Sequence, residues 1–141
     1  MLRIGCLGAA KIAPLAVIGP ARALKGVEVT AVAARDPARA QAFAHKHGLS
    51  KVLPDYAALI NDPNIDIIYN GLPPSGHAAW TIKALAAGKH VLCEKPFAMN
   101  AAEVEAMIAA ADASGKVLME GFHYRHHALM KEILAILDSG R

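Results

Sequence analysis

Aromatic side chains are scarce, with Phe, Trp and Tyr making up 5% of the 141 residues. Proteins that grip single-stranded nucleic acid stack successive bases on aromatic rings, and this chain has too few for that. There is also no block of one charge. Lys and Arg outnumber Asp and Glu by 15 to 12, a formal net charge of +3. The basic residues Arg3, Arg22, Lys51, Lys83, Lys116 and Arg141 are scattered, not gathered into a stripe that would track a phosphate backbone. Nucleic acid is not an expected partner. Cysteine is limited to Cys6 and Cys93, each inside an apolar run. Two such residues read as small buried hydrophobes and not as a disulfide framework, which fits a reducing, cytoplasmic setting. No apolar stretch reaches the roughly 20 residues that cross a bilayer. The segment Met1 to Gly5 lacks the basic region, apolar core and cleavage site of a secretory leader. No membrane association is expected.

What is abundant is apolar: 55% of residues are hydrophobic against 19% charged, with a mean hydropathy of +0.30. That is a core-forming composition, far from the low-hydrophobicity, high-charge signature of disorder. The length suits one domain. Strand-like runs alternate with helix-like runs along the whole chain. Leu2 to Leu7, Val27 to Ala34, a short piece around Val52, Ile65 to Tyr69, His90 to Cys93 and Lys116 to Met119 read as strands. Helices are expected over Ala13 to Leu24 (disturbed at Pro20), Pro37 to His47, Asp55 to Ile60, His77 to Ala87, Asn100 to about Ala113 and His127 to Leu137. Asp36 before Pro37, and Asn100 three residues before Glu103, carry helix-start signals; Gly48 and Gly88 carry stop signals. Strict alternation implies parallel strands joined by right-handed crossovers. The strands are apolar throughout, as in a sheet covered on both faces. The expected fold is α/β, a doubly wound parallel sheet of the Rossmann type in a single domain. Such sheets bind ligands at the carboxyl ends of their strands.

Three of those ends hold candidate chemistry. After the first strand comes Gly8-Ala9-Ala10-Lys11-Ile12-Ala13. Against the dinucleotide fingerprint G-x-G-x-x-G/A, Gly8, Ala10 and Ala13 occupy the three small-residue positions, for a tight turn, close backbone approach to a pyrophosphate, and close helix–strand packing. Ala10 departs from glycine and takes some room; the alternative reading is an ordinary small-residue turn. After the second strand comes Ala34-Arg35-Asp36. An acid at the position of Ala34 would bind the adenosine ribose hydroxyls and repel a 2′-phosphate; here there is none, and Arg35 can pair with such a phosphate. The cofactor expectation is NADP or NAD, leaning to NADP. Arg35 as a merely solvated arginine and Asp36 as a merely capping residue stay open. After the fifth strand comes Glu94-Lys95-Pro96. Lys95 should face the same crevice, where a lysine can exchange a proton with a substrate hydroxyl or carbonyl; a plain surface lysine is the alternative. His123 and His127 are four apart, but no acidic or thiol ligand accompanies them, so no metal is expected.

Ala87-Gly88-Lys89-His90-Val91-Leu92-Cys93-Glu94-Lys95-Pro96, in register with Gly8-Ala9-Ala10 and with Asn64-Ile65-Asp66-Ile67-Ile68-Tyr69, resembles the N-terminal domain of the glucose–fructose oxidoreductase / inositol dehydrogenase (Gfo/Idh/MocA) family. The resemblance covers essentially the whole chain. It implies an NAD(P)-dependent oxidoreductase that moves a hydride to or from a sugar, polyol or related hydroxy or keto substrate. It implies that Lys95 handles the proton and that Glu94 and Pro96 shape the loop beside the nicotinamide. It further implies that Leu72, Pro73, Pro74, Ser75 and His77 border the cofactor. The family pattern T-P-N-x-x-H is met here at Pro73 and His77 but not at the asparagine. His77 is thus a candidate for catalysis and cofactor contact, or else a helix-start residue without chemistry. Arg125 matches a family arginine after the sixth strand. The candidate cofactor-binding set is Gly8, Ala9, Ala10, Lys11, Ile12, Ala34, Arg35, Leu72, Pro73, Pro74, His77, Glu94, Lys95 and Arg125.

The division implied is a NAD(P)-binding domain over 1–122 and a terminal helix, 123–141, leading toward a second, substrate-binding α+β domain that family members carry. That domain usually holds the oligomer interface, so a homo-oligomer stays open as a partner. This stretch alone is expected to bind cofactor without turnover. A non-catalytic dinucleotide-binding or regulatory module is the other reading.

Overall fold

The computed structural model describes residues 1–140. Six strands form one sheet: β1 Leu2–Leu7, β2 Val27–Ala33, β3 Lys51–Val52, β4 Ile67–Asn70, β5 His90–Cys93 and β6 Leu118–Glu120. Every pairing is parallel, in the order β3-β2-β1-β4-β5-β6. The sheet winds outward from its centre in both directions, so β1 and β4 diverge at the topological switch point, where a ligand crevice is expected.

The helices are α1 Gly19–Ala23, α2 Pro37–His47, α3 Tyr56–Asn61, α4 His77–Ala86, α5 Ala101–Ser114 and α6 Ala128–Asp138. Side chains alternate across the sheet, so the sheet feeds two cores. On one face Leu7, Ala31, Ala33, Ile68, Val91 and Cys93 pack with Leu59 and Ile60 of α3, Ala84 and Leu85 of α4 and Met107 of α5. On the other, Ile4, Cys6, Val29, Val32 and Tyr69 meet Ala13, Val17, Ile18, Ala21 and Ala44. Burial on both faces is why the strands read as unbroken apolar runs.

The helix expected over Ala13 to Leu24 is wound more loosely than an α-helix at its start. Pro14–Ile18 form a π-helical turn in which the Gly19 N–H donates to the Pro14 carbonyl, and α1 follows. Pro20 has no N–H for the α-helical ladder, and a Cβ on Gly19 would lie 3.1 Å from the Pro14 oxygen. The strand expected at Ile65 begins at Ile67 instead, because the Ile65 carbonyl is taken by the Lys89 ammonium at 2.7 Å. Helix caps follow the sequence signals. Asp36 accepts from the N–H groups of Ala38 and Arg39, at 2.9 and 3.3 Å. Asn100 accepts from Glu103 N–H at 3.0 Å, while the Glu103 carboxylate returns to Met99 N–H.

Helix α6 packs differently from the others. None of its residues is buried, and Leu129, Ile133, Leu134, Ile136 and Leu137 are all exposed.

Candidate dinucleotide site

The turn after β1 is built for close approach. Gly8 has φ +84°, a left-handed backbone that a residue with a Cβ adopts only at a cost. Its N–H donates to the Ala33 carbonyl at 2.8 Å, which holds the turn against the end of β2. The amides of Ala10, Lys11 and Ile12 have no backbone partner among the described residues. Successive free N–H groups on a turn make an anion-binding concavity. Ala13, at the third small-residue position, is fully buried against the strands, as close helix–sheet packing requires.

The departure at Ala10 is compensated across the crevice. Gly71, the first residue after β4, lies under it: a Cβ on Gly71 would stand 3.0 Å from the Ala10 Cβ and 2.9 Å from Tyr69 Cε1. Glycine here leaves room for the alanine methyl. Together these segments bound a cleft of about 390 Å³, lined by Gly8, Ala9, Ala10, Lys11, Ala34, Arg35, Asp36, Arg39, Tyr56, Gly71, Leu72 and Pro73. That volume lies within the range typical of small-molecule and cofactor sites, about 300–1,000 Å³. A dinucleotide fits these residues. Free turn amides and Lys11 suit a pyrophosphate, while Arg35 and the absence of an acid at Ala34 leave space and charge for a substituted ribose.

The cleft brings together the candidates Gly8, Ala9, Ala10, Lys11, Ala34, Arg35, Leu72 and Pro73. Ile12, Pro74, Glu94, Lys95 and Arg125 do not line it. Arg125 is exposed in a 3-10 turn, His123–His126. Glu94 lies against a separate hollow of about 180 Å³ with Tyr69, Leu92, Met119 and Phe122. Its carboxylate is buried, at 6% exposure, and accepts from the Tyr69 hydroxyl at 2.7 Å and from Lys95 N–H at 3.2 Å. Burial and this carboxylate together push the Tyr69 phenol well above its ordinary value, so it stays a donor. Lys95 itself is exposed. Its height is set by the sheet: Asn70 pairs with Cys93, so Lys95 leaves β5 beside the segment that leaves β4 as Gly71 and Leu72.

His77 requires a correction. Its ring is 1% exposed and outside the cleft lining. Nδ1 lies 2.8 Å from the Pro96 carbonyl and Nε2 2.7 Å from the Leu72 carbonyl. With both nitrogens occupied and no open face, the ring has no atom left to touch a cofactor or pass a proton to a substrate.

Four lining residues lie outside the candidate set: Asp36, read from the sequence as a helix cap, Gly71, Arg39 and Tyr56. Arg39 donates to the Ala9 carbonyl at 3.0 Å and so links α2 to the fingerprint turn; its place in the first turn of α2, shortly after the end of β2, was the available signal. Tyr56 is held edge-on against Trp80, with centroids 5.0 Å apart, a tertiary contact that no local pattern announces. Lys89, in the stretch that carries the resemblance, has a structural role. Its buried ammonium donates to the carbonyls of Asp62 and Ile65 at 2.8 and 2.7 Å. Among the described residues there is no cluster of three or more His, Cys, Asp or Glu able to hold a metal, and no helix long and apolar enough to cross a membrane.

Comparison with known proteins agrees with this geometry. A family model described as an oxidoreductase family with an NAD-binding Rossmann fold matches residues 2–122. The trans-1,2-dihydrobenzene-1,2-diol dehydrogenase of Sus scrofa is 44% identical over 110 residues, 78% of this chain and 33% of that protein. The dTDP-3,4-didehydro-2,6-dideoxy-alpha-D-glucose 3-reductase of Saccharopolyspora spinosa is 38% identical over 139 residues, 99% of this chain and 42% of that one. The crystal structure of a 3-ketoreductase from Actinomadura kijaniata, in complex with NADP and TDP-benzene, superposes with a TM-score of 0.89 at 37% identity, covering 99% of this chain and 42% of that one. The chain thus spans about two fifths or less of the length of these relatives. The parallel six-stranded sheet, the fingerprint turn and the match over residues 2–122 lead to one conclusion: the chain belongs to the Gfo/Idh/MocA oxidoreductase family and carries its NAD-binding Rossmann fold.

Proposed function

We propose that this chain holds NADP in preference to NAD and serves an oxidoreductase that moves a hydride to or from a CH–OH or C=O carbon of a sugar, polyol or related substrate. The observation that carries the cofactor reading is the cleft corner where Arg35 and Arg39 stand beside Ala34, with no acid at the end of β2. Asp36 is the nearest carboxylate in sequence, and its side chain is spent on capping α2. Support for the substrate class comes from a deoxysugar 3-reductase and a cyclic diol dehydrogenase among the relatives. Both names describe carbon–oxygen redox chemistry.

In this reading the amides of Ala10, Lys11 and Ile12 receive the pyrophosphate, and Arg35 and Arg39 receive the 2′-phosphate. Leu72 and Pro73 wall the cleft on the β4 side. The bound nicotinamide supplies the hydride chemistry, which belongs to the cofactor and not to the protein. Lys95 exchanges the proton at the substrate oxygen, and the Glu94 carboxylate fixes the lysine's backbone through its N–H.

The test is a fluorescence titration of NADPH and NADH with the wild type, Arg35→Ala and Arg39→Ala. A charge-assisted phosphate contact is worth about 1.5–3 kcal/mol. Each substitution is therefore expected to weaken NADPH by roughly 10- to 150-fold and NADH far less. Equal losses for the two cofactors would remove the phosphate role. A panel of sugars, polyols and cyclic diols assayed with the full-length gene product tests the substrate class.

A further inference from the structure

We propose that His77 is a positioning residue that ties the loop carrying Lys95 to the loop that walls the dinucleotide cleft. The proposal rests on the reading of Lys95 and the cleft given above. Few side chains in the molecule are as fully enclosed as this ring, and both of its polar atoms reach out to main chain distant in sequence. Nδ1 meets the carbonyl of Pro96, 19 residues away, and Nε2 that of Leu72, five away. Those carbonyls belong to the two segments leaving adjacent strands β4 and β5. Pro96 directly follows Lys95. Leu72 lines the cleft, and its side chain lies 3.1 Å from where a Cβ on Gly8 would stand, so it packs on the fingerprint turn itself.

The anchor for this tie is rigid. His77 opens α4, and its own carbonyl accepts from Asn70 Nδ2 at 3.2 Å. The same amide donates to the Thr81 hydroxyl at 3.1 Å. Asn70 and Thr81 are fully buried. Asn70 Oδ1 in turn accepts from Leu72 N–H at 3.3 Å. The helix start is thereby fixed to the end of β4, and the imidazole projects from it between the two loops. A shift of either loop is felt by the other through one rigid, planar ring.

Each ring nitrogen lies at hydrogen-bond distance from one loop carbonyl, with the donor set by the tautomer. One planar ring thereby spans both loops, a job that a purely space-filling residue cannot do.

The test uses the chain itself, free of ligand and then with NADPH. Amide exchange at Gly71 and Leu72 and at Lys95, Phe97 and Ala98 is expected to rise about tenfold in His77→Phe, the scale of one net hydrogen bond. In His77→Gln the rise is confined to one of the two loops. NADPH affinity is expected to fall several-fold in His77→Phe and to be partly restored in His77→Gln. Exchange in both loops of a folded His77→Phe within twofold of wild type would overturn the proposal. If His77→Phe fails to fold, His77→Gln decides alone: exchange within twofold of wild type in both of its loops would overturn the proposal. Failure of the wild type to bind NADPH would sink the functional reading and leave the exchange measurement standing as the test of the tie.

Discussion

Gly71→Ala is the sharpest probe of how the fingerprint turn and the loop after β4 share their space. Gly71 is not at positive φ, so alanine meets no backbone penalty there, and its cost is purely steric. The added methyl would lie 2.9 Å from Tyr69 Cε1 and 3.0 Å from the Ala10 Cβ, both inside normal carbon contact distance. Neither neighbour yields easily: the Tyr69 ring is 1% exposed with its hydroxyl bonded to Glu94, and the Ala10 methyl moves only with its backbone. Overpacking of this kind costs about 1–3 kcal/mol, or roughly 3–10 °C in Tm for a domain near this size. Part of the strain is relieved by displacing Ala10, so NADPH affinity should fall as well. The decisive measurement is a double-mutant cycle by thermal denaturation and NADPH titration. If Ala10 and Gly71 share one space, Ala10→Gly should rescue Gly71→Ala, with a coupling of at least about 0.5 kcal/mol. Rescue will be partial because the Tyr69 contact remains. A Gly71→Ala variant as stable and as tight-binding as wild type, or a cycle without coupling, would refute the compensation.

Tyr69→Phe removes the 2.7 Å donor to the buried Glu94 carboxylate; a loss of about 1.5–3 kcal/mol in denaturant unfolding is expected, and a change below about 0.5 would contradict it. Asp62 is held below the usual carboxylate range by Lys51 and the Asn64 amide, and Asp66 by the Arg3 side chain and amide. A carboxyl lowered in the folded state contributes stability above its unfolded value of 3.8 and loses it as pH falls through the folded value. Unfolding midpoints should therefore drop between pH 4 and lower values in wild type, and less steeply in Asp62→Asn/Asp66→Asn. Burial pushes the thiols of Cys6 and Cys93 up to about 12, so neither should react with an alkylating reagent at pH 8 until the protein unfolds; rapid labelling of the native protein would contradict the burial. The exposed lysine in this two-fifths-length chain leads us to expect NADPH binding without turnover on sugars and polyols, and ordinary dehydrogenase rates from the purified chain would refute that.

Much of the fold was legible because its signals are local. Alternating apolar runs placed all six strands, and Asp36, Asn100, Gly48 and Gly88 marked helix ends where the backbone bears them out. The errors lie where a distant partner intervenes. The start of β4 shifts because Lys89, 24 residues away, claims the Ile65 carbonyl. The loosened first helix is instead a local effect of Pro14, Gly19 and Pro20, at the disturbance that Pro20 announced in the sequence. Gly8, Ala9, Ala10, Lys11, Ala34 and Arg35 were legible because a tight turn and a strand end are themselves local features, and the structure gathers them into one cleft. His77 was seen as a residue of interest, yet its partners are carbonyls, which carry no trace in the side-chain sequence.

The same distinction explains why a fingerprint read along one turn understates this site. Taken alone, Ala10 in place of glycine reads as lost room for a phosphate. The room is set between two loops, however, and the second loop supplies the missing glycine at Gly71, 61 positions later, through the pairing of β1 with β4. The next residue on that loop, Leu72, packs on Gly8 through its side chain and on His77 through its carbonyl. His77 then reaches Pro96, beside Lys95. The chain of contact from the fingerprint turn to the lysine thus runs across three strand ends, and each link engages a backbone carbonyl or the space left by a glycine. Motif matching scores the residues present at each position. At this site much of the specification lies in main-chain atoms and in side chains that are absent, and these become visible only once the sheet has set its register.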